Sequence, residues 1–297
     1  MKNTKYRNTQ DSIFEYLFRF VGLISIALLL GIFLMLLYNS IAFFTDINPI
    51  DFISKSQWNP TNDKTKSVYG LLSLLFSTLL VTLGAMIIAV PLGIGTATFI
   101  SEYASERLKK ILKPAIEILA AIPSVAIGFM GIVIIGPGIA NLFGLNNGLN
   151  ALNGAILLAI MSLPTIITIS EDALHAVPFT YKEASYGVGA SKWTTTFRVT
   201  LPAAFPGIIA AVMLGMGRAI GETMTVLMAT GNSIAFPNGF FDSIRTITAT
   251  IAIEMGEVPY QTTHYYSLFA IALVLFIITL GVNIIAEILA KRFRKYQ

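Results

Sequence analysis

The sequence contains no cysteine, which excludes disulfide scaffolds, thiol nucleophiles, cysteine-ligated zinc and iron–sulfur clusters. Histidine is nearly absent too. His175 and His264 are the only two, and no H-E-x-x-H occurs, so a zinc site lacks its usual donors. There is no G-x-x-x-x-G-K-[ST] run, and therefore no loop of the kind that cradles ATP phosphates. Gly187-x-Gly189 lacks the third glycine and the preceding strand of a dinucleotide fingerprint and reads as a turn. Charge is scarce: 12% of residues are Asp, Glu, Lys or Arg, half of the roughly 25% in a soluble domain. No internal repeat, low-complexity tract or separate soluble domain is visible. No catalytic constellation stands out, and nothing points to a cofactor, a metal or a nucleic-acid partner.

What the chain has instead is apolar length. Of its 297 residues 55% are hydrophobic. A bilayer core about 30 Å thick takes roughly 20 apolar residues in a helix. Six runs reach or approach that length: Phe20–Phe44, Leu71–Ile100, Leu112–Gly136, Ala151–Ser170, Phe205–Thr230 and Ser267–Ala290. They show no period-2 alternation, so helices rather than barrel strands satisfy their backbone in lipid. The first run is too long for a signal-peptide core and lacks a small-x-small cleavage site, which predicts a retained anchor. Pro91, Pro123 and Pro164 fall inside the second, third and fourth runs and predict kinks there.

Lysine and arginine sort by side. With the N-terminus in the cytosol, the inner segments hold Lys2, Lys5, Arg7, Arg19, Arg107, Lys109, Lys110, Lys113, Lys182, Lys192, Arg198, Lys291, Arg292, Arg294 and Lys295. The outer loops hold only Lys55, Lys64, Lys66 and Arg245, and Arg218 lies within a span. That asymmetry predicts cytosolic termini. Two outer segments exceed a simple turn: the polar stretch Thr45–Tyr69, and Gly231–Tyr266, in which Ser243–Met255 is apolar enough for a short helix.

The loop after the fourth run reads YKEASYGVGASKWTTTFRVTLPAAFPG, Tyr181 to Gly207. Gly187 and Gly189 are expected to break it into two short helices, with Ser191 capping the second. Trp193, Phe197 and Leu201 recur at i, i+4 and i+8, giving one apolar stripe. Such a helix suits a groove on a partner protein, or the lipid headgroup layer. The segment resembles the EAA loop of binding-protein-dependent ABC importers. Glu183, Ala184 and Ser185 take the first three places of that pattern, Gly189 the glycine place, and Val199, Leu201 and Pro202 the last ones. Serine replaces the second alanine and valine the isoleucine. The resemblance implies that the loop, residues 173–204, docks on a separate ATPase subunit and transmits its closure.

Arg218 and Glu222 sit in the fifth run. A charge at mid-bilayer costs at least about 2.5–3.5 kcal/mol, so function is the default reading. Their i, i+4 spacing predicts one helix face and an ion pair, with Thr223 and Thr225 adding hydroxyls. A purely structural ion pair is the alternative. Gly217 and Gly221 predict a smooth face for a neighbouring helix. The stretch GRAIGETM, its continuation MTVLMATGN and the outer run from Thr246 to Gly256 are similar to the PstC-type permeases of Pst phosphate importers. An arginine fork holding two phosphate oxygens suits that cargo. Glu222 is then expected to pair with the empty Arg218, or to take the proton of hydrogen phosphate.

The fold implied is an all-α polytopic membrane protein of six transmembrane helices: a MetI-like type I ABC importer permease core over residues 70–297, plus an N-terminal helix within residues 1–69 packed outside it. The resemblance also implies a PstA-type permease in a heterodimer, two Pst-type ATPases on the cytosolic side, an extracytoplasmic phosphate-binding protein, and phosphate itself as cargo. Surrounding lipid follows from the spans. A permease for sulfate, molybdate or tungstate, or an ATP-independent channel or carrier, remains the alternative at this stage. Glu117 reads as a helix-start carboxylate near the third run. Glu102 and Glu106 read as a solvated loop face. Glu254 is a candidate contact for a binding protein, and the histidines are expected to be ordinary loop residues.

Overall fold

A computed structural model describes residues 2–61 and 67–294. Helix α1 (Lys2–Asp46) leads to the short α2 (Pro49–Ser54) and a two-residue ribbon, β1 (Trp58–Asn59) paired antiparallel with β2 (Val68–Tyr69). Next come α3 (Leu72–Thr98), which runs on as a π-turn Phe99–Tyr103, and α4 (Glu106–Ala121). The pair α5 (Ser124–Met130) and α6 (Gly136–Phe143) is joined by a π-turn, Gly131–Ile135. Then follow α7 (Ala151–His175), α8 (Phe179–Gly187) and α9 (Lys192–Thr195), the last joined by the π-turn Thr196–Thr200 to α10 (Leu201–Gly221). The chain closes with α11 (Met224–Ala229), α12 (Ile247–Glu254) and α13 (Thr263–Arg294).

Among the described residues six helical stretches are long and apolar enough to cross a membrane: Phe14–Asp46, Leu72–Tyr103, Ser124–Phe143, Ala151–His175, Lys192–Gly221 and Thr263–Lys291. The number agrees with the hydropathy runs, but the bounds of two runs, the third and the fifth, do not. The third run was expected over Leu112–Gly136. Instead the chain breaks at Ile122–Pro123, because a residue before proline is pushed to extended geometry; Ile122 has φ −64° and ψ 126°. Everything before the break is α4, whose residues are all at least partly exposed. Glu117 therefore sits on α4, outside the span, and Pro123 caps the start of α5 rather than kinking a helix. Pro91 and Pro164 do lie inside α3 and α7. The fifth run also shifts. Its helix starts at Lys192 and stops at Gly221, not at Thr230.

Helix α7 forms the centre, packed between α3 and α10. Ile166 of α7 is fully buried and touches glycine on both sides. A Cβ on Gly93 of α3 would lie 2.6 Å from its Cγ2, and one on Gly215 of α10 would lie 2.7 Å from its Cγ1. Only the missing side chains let three spans close on one isoleucine. The glycines expected to play this part, Gly217 and Gly221, do not: a Cβ on Gly217 would come no closer than 3.9 Å to another atom, and Gly221 faces open space. Helix α1 lies outside the bundle along α13, with Phe33 and Phe276 rings 5.6 Å apart. Most of its described side chains are exposed, as suits a helix meeting lipid.

At the end of the bundle opposite the EAA-like segment, residues 47–61 and 67–70 fold onto α12 and α13. Trp58, Phe52 and Phe43 are buried in one cluster with Ile247 and Leu268. Glu254 is the polar centre. Its carboxylate accepts from Trp58 Nε1 at 3.1 and 3.0 Å and from Arg245 Nη1 at 3.0 Å, and His264 Nε2 lies 2.8 Å away. Glu254 is thus turned inward, not offered to a binding protein, and His264 is tied into the fold. Glu254→Gln leaves Arg245 without its counter-charge. We expect a loss of about 1–3 kcal/mol, measured as a lower unfolding temperature in detergent, with a red-shifted Trp58 emission.

Candidate functional site

Two regions matter, and both are built where a helix breaks. In the first, α10 ends at Gly221 and Glu222 is extended, with φ −68° and ψ 132°. Helix α11 restarts at Met224. The Glu222 side chain turns toward the new helix: its Oε1 accepts the Thr225 N–H at 3.2 Å, satisfying a donor of the first turn that has no partner within the helix. Thr248 of α12 donates to the Glu222 carbonyl at 2.8 Å, and Thr225 Oγ1 donates to the Ser124 carbonyl at 3.1 Å. The break is therefore held from three sides. Thr223 Oγ1 donates to the Gly221 carbonyl at 3.4 Å.

Arg218 stands one turn before the break and on the surface of the chain. Among the described residues its one side-chain hydrogen bond is a long one, from Nη1 to Thr165 Oγ1 of α7 at 3.4 Å. Among the described residues no ion pair joins Arg218 to Glu222. The expected pair fails because i, i+4 proximity needs a continuous helix, and the helix ends between the two. Arg218 is left with four further N–H groups to satisfy, in the middle of a membrane-length run.

The second region is the EAA-like segment. Helix α8 ends at Gly187, and Gly189 takes φ +84°, the left-handed geometry expected of a glycine turn. Ser191 accepts the Thr194 N–H at 3.3 Å and caps α9, as its side-chain chemistry predicts. The second helix is not short or separate, however. It is the first two turns of the fifth span. The stripe Trp193, Phe197 and Leu201, with Pro202 and Phe205, lines an apolar cavity of about 910 Å³ shared with Pro91, Ile94 and Phe99 of the second span. The Trp193 and Phe197 rings lie 4.1 Å apart, tilted at 39° to each other. The free helix is α8: none of its residues is buried, and Glu183 and Ala184 are exposed. Ser185, at the place where the family pattern has alanine, exchanges a hydrogen bond with Thr195 Oγ1 at 2.9 Å.

The same end of the bundle holds two carboxylates whose setting the sequence did not disclose. Glu102 was expected on a solvated face. Its side chain is 7% exposed and pairs with Lys182 of α8 at 2.7 Å. Glu171, 5% exposed, accepts from Lys113 of α4 at 2.8 Å, with His175 Nε2 3.1 Å away. That bond holds the Lys113 ammonium above the usual lysine range. The i, i+4 spacing of Glu171 and His175 was a readable signal; the lysines are too distant in sequence to be one. Among the described residues no group of three His, Asp or Glu side chains suits a metal ion.

A family model described as "Binding-protein-dependent transport system inner membrane component" matches residues 89–295. The chain is 39% identical over 246 residues to "Probable ABC transporter permease protein YqgH" of Bacillus subtilis, covering 83% of this chain and 79% of that protein. It is 35% identical over 301 residues to "Phosphate transport system permease protein PstC" of Mesorhizobium japonicum, covering 95% of this chain and 90% of that one. Among solved structures it resembles a chain of the MetNI methionine ABC transporter in an inward-facing conformation. The TM-score is 0.60 and the identity 17%, over 75% of this chain and 95% of that one. This last likeness concerns the fold.

Proposed function

Because the chain belongs to the binding-protein-dependent transport system inner membrane component family, we propose that it is the transmembrane permease subunit of an ATP-driven inorganic phosphate importer. The observation that carries this reading is similarity along nearly the whole chain to phosphate-system permeases. In this reading residues 70–297 are the permease core and residues 1–69 bring the added helix and the polar outer segment. The protein sits in the cell inner membrane with both termini in the cytosol, a reading supported by the distribution of lysine and arginine. A PstA-type permease completes the path, a phosphate-binding protein delivers the cargo, and two copies of a Pst-type ATPase dock on the cytosolic side, one of them at α8. Hydrolysis belongs to those subunits, and this chain supplies path and coupling.

Arg218 is the anion-holding group of the path. A guanidinium on the lipid-facing side of a span is expensive; facing a partner permease across a wet path, it is matched to a dehydrating phosphate. Its spare donors favour that role. Thr223 borders the same break. Glu222 receives a different role from the one expected: its carboxylate caps α11 and keeps the break open, instead of neutralising Arg218. The two roles separate by substitution. Glu222→Gln retains the accepting oxygen and is expected to keep more than about half of the uptake, whereas Glu222→Ala loses the cap, worth about 0.5–2 kcal/mol, and with it most of the uptake. Loss in both variants alike would restore the charge-based role. Coupling falls to Glu183, Ala184, Ser185 and Gly189 on and after α8. Trp193, Phe197, Leu201 and Pro202 carry the movement into the fifth span.

The experiment that tests the whole reading is co-purification with the products of neighbouring genes. ATPase activity is then measured with phosphate and its binding protein, with sulfate, molybdate and tungstate as competitors. Stimulation by phosphate is expected. A preparation that contains no ATPase subunit overturns the reading, and stimulation by another oxyanion instead of phosphate corrects the cargo.

A further inference from the structure

We propose that Glu102 and Lys182 form the strut through which α8 moves the second span, with the π-turns Phe99–Tyr103 and Thr196–Thr200 as the joint it bends. The inference rests on the importer reading and adds to it the residues that carry force from the docking helix into the membrane.

The first ground is how α8 is attached. None of its residues is buried, so apolar packing holds it only weakly. Among the described residues two side-chain hydrogen bonds reach out of it: Lys182 Nζ to Glu102 Oε1 at 2.7 Å, and Ser185 to Thr195 at 2.9 Å. The first leads to the second span and the second to the fifth. Whatever displaces α8 therefore pulls on both spans at these points.

The second ground is the setting of the pair. The side chains of Glu102 and Lys182 are 7% and 16% exposed, whereas pairs such as Arg19–Glu15 and Lys55–Asp51 are more than half exposed. An exposed pair is loose and screened. A buried one gives little stability over an apolar contact but does impose a register, because neither charge tolerates losing the other. That property suits a strut.

The third ground is the helix geometry at the same level. The second span turns π over Phe99–Tyr103, and the fifth over Thr196–Thr200. The two turns touch: Tyr103 donates to Thr196 Oγ1 at 3.4 Å, and the Lys192 ammonium lies 5.0 Å from the centre of the Tyr103 ring. A π-turn holds an extra residue within the helix and can relax without unfolding it. Glu102 lies inside one of these turns. A contiguous set of contacts then leads inward: α3 meets Ile166 at Gly93, and Thr165, next in sequence, meets Arg218.

The test uses the complete complex in proteoliposomes, reading phosphate imported per ATP hydrolysed. Glu102→Lys alone or Lys182→Glu alone is expected to lower that ratio at least fivefold. The exchanged pair, Glu102→Lys with Lys182→Glu, should bring it back to within twofold of the parent. An unchanged ratio in either single variant, or an exchanged pair as low as the single ones, overturns the proposal. A second arm holds even where a reversed charge prevents assembly. The chain has no cysteine, so Glu102→Cys with Lys182→Cys gives one addressable pair for a short bifunctional thiol reagent. Import that persists after linkage is the expected result. Import that stops on linkage shows that the two positions must part during turnover, and sinks the strut. Failure of the parent complex to import phosphate at all is a failure of the importer reading and is seen before any variant is made.

Discussion

Arg218→Gln is expected to reduce phosphate uptake about a hundredfold in a complex that still assembles. The size follows from what is removed. A hydrogen bond to a charged group contributes about 1.5–3 kcal/mol, and each 1.4 kcal/mol is tenfold. Two such bonds to a phosphate, partly kept by the glutamine amide, bring the loss near two decades. The fold should tolerate the change, because among the described residues Arg218 is held only by the 3.4 Å contact to Thr165, while its neighbours Ala219 and Ile220 are buried and carry the packing. Arg218→Lys keeps the charge but loses the planar fork, and should fall between parent and glutamine variant. The measurement is labelled-phosphate uptake into proteoliposomes, normalised to complex recovered. Uptake equal to the parent's in Arg218→Gln removes the arginine from the path.

Gly189→Val is expected to lower co-purification of the ATPase about five- to thirtyfold while leaving the membrane core folded. Gly189 has φ +84°, and its N–H bonds to the Tyr186 carbonyl at 2.9 Å as the chain reverses between α8 and α9. A side chain in the left-handed region costs about 1–2 kcal/mol, more when β-branched, and that range corresponds to the stated factor. The turn sets the angle at which α8 leaves the fifth span, so strain there swings the helix off its seat. Gly187→Ala is the control. Gly187 closes α8 with ordinary helical geometry, and an added Cβ would meet no atom within 4 Å. It should bind ATPase like the parent. Equal loss in the two glycine variants, or none in Gly189→Val, contradicts this account.

The spans were readable because hydropathy is a sum over neighbours in sequence. A run of about 20 apolar residues has few other places to go. The glycine turn at Gly189 and the Ser191 cap were readable for a similar reason, since each rests on geometry within four residues. The same local rule misled at two places. The run Leu112–Gly136 is apolar enough to seem continuous, but Pro123 divides it. The run Phe205–Thr230 also seems continuous, and no residue in it forbids a helix at Glu222. That break is held by Thr248 and by the capping of Thr225, and Thr248 lies 26 residues away.

By itself, then, the sequence determined the membrane class, the six spans, the absence of an ATP loop and the EAA-like segment, all of which are short-range or compositional. Tertiary structure alone decided that Arg218 and Glu222 are not partners, that Glu102 meets Lys182 across 80 residues, and that Trp58 meets Glu254 across 196. The physical reason is the cost of burying charge. A buried carboxylate must find a donor, but which donor it finds depends on which helices pack together, and that is set by close contacts such as those of Gly93 and Gly215 around Ile166, not by spacing along the chain.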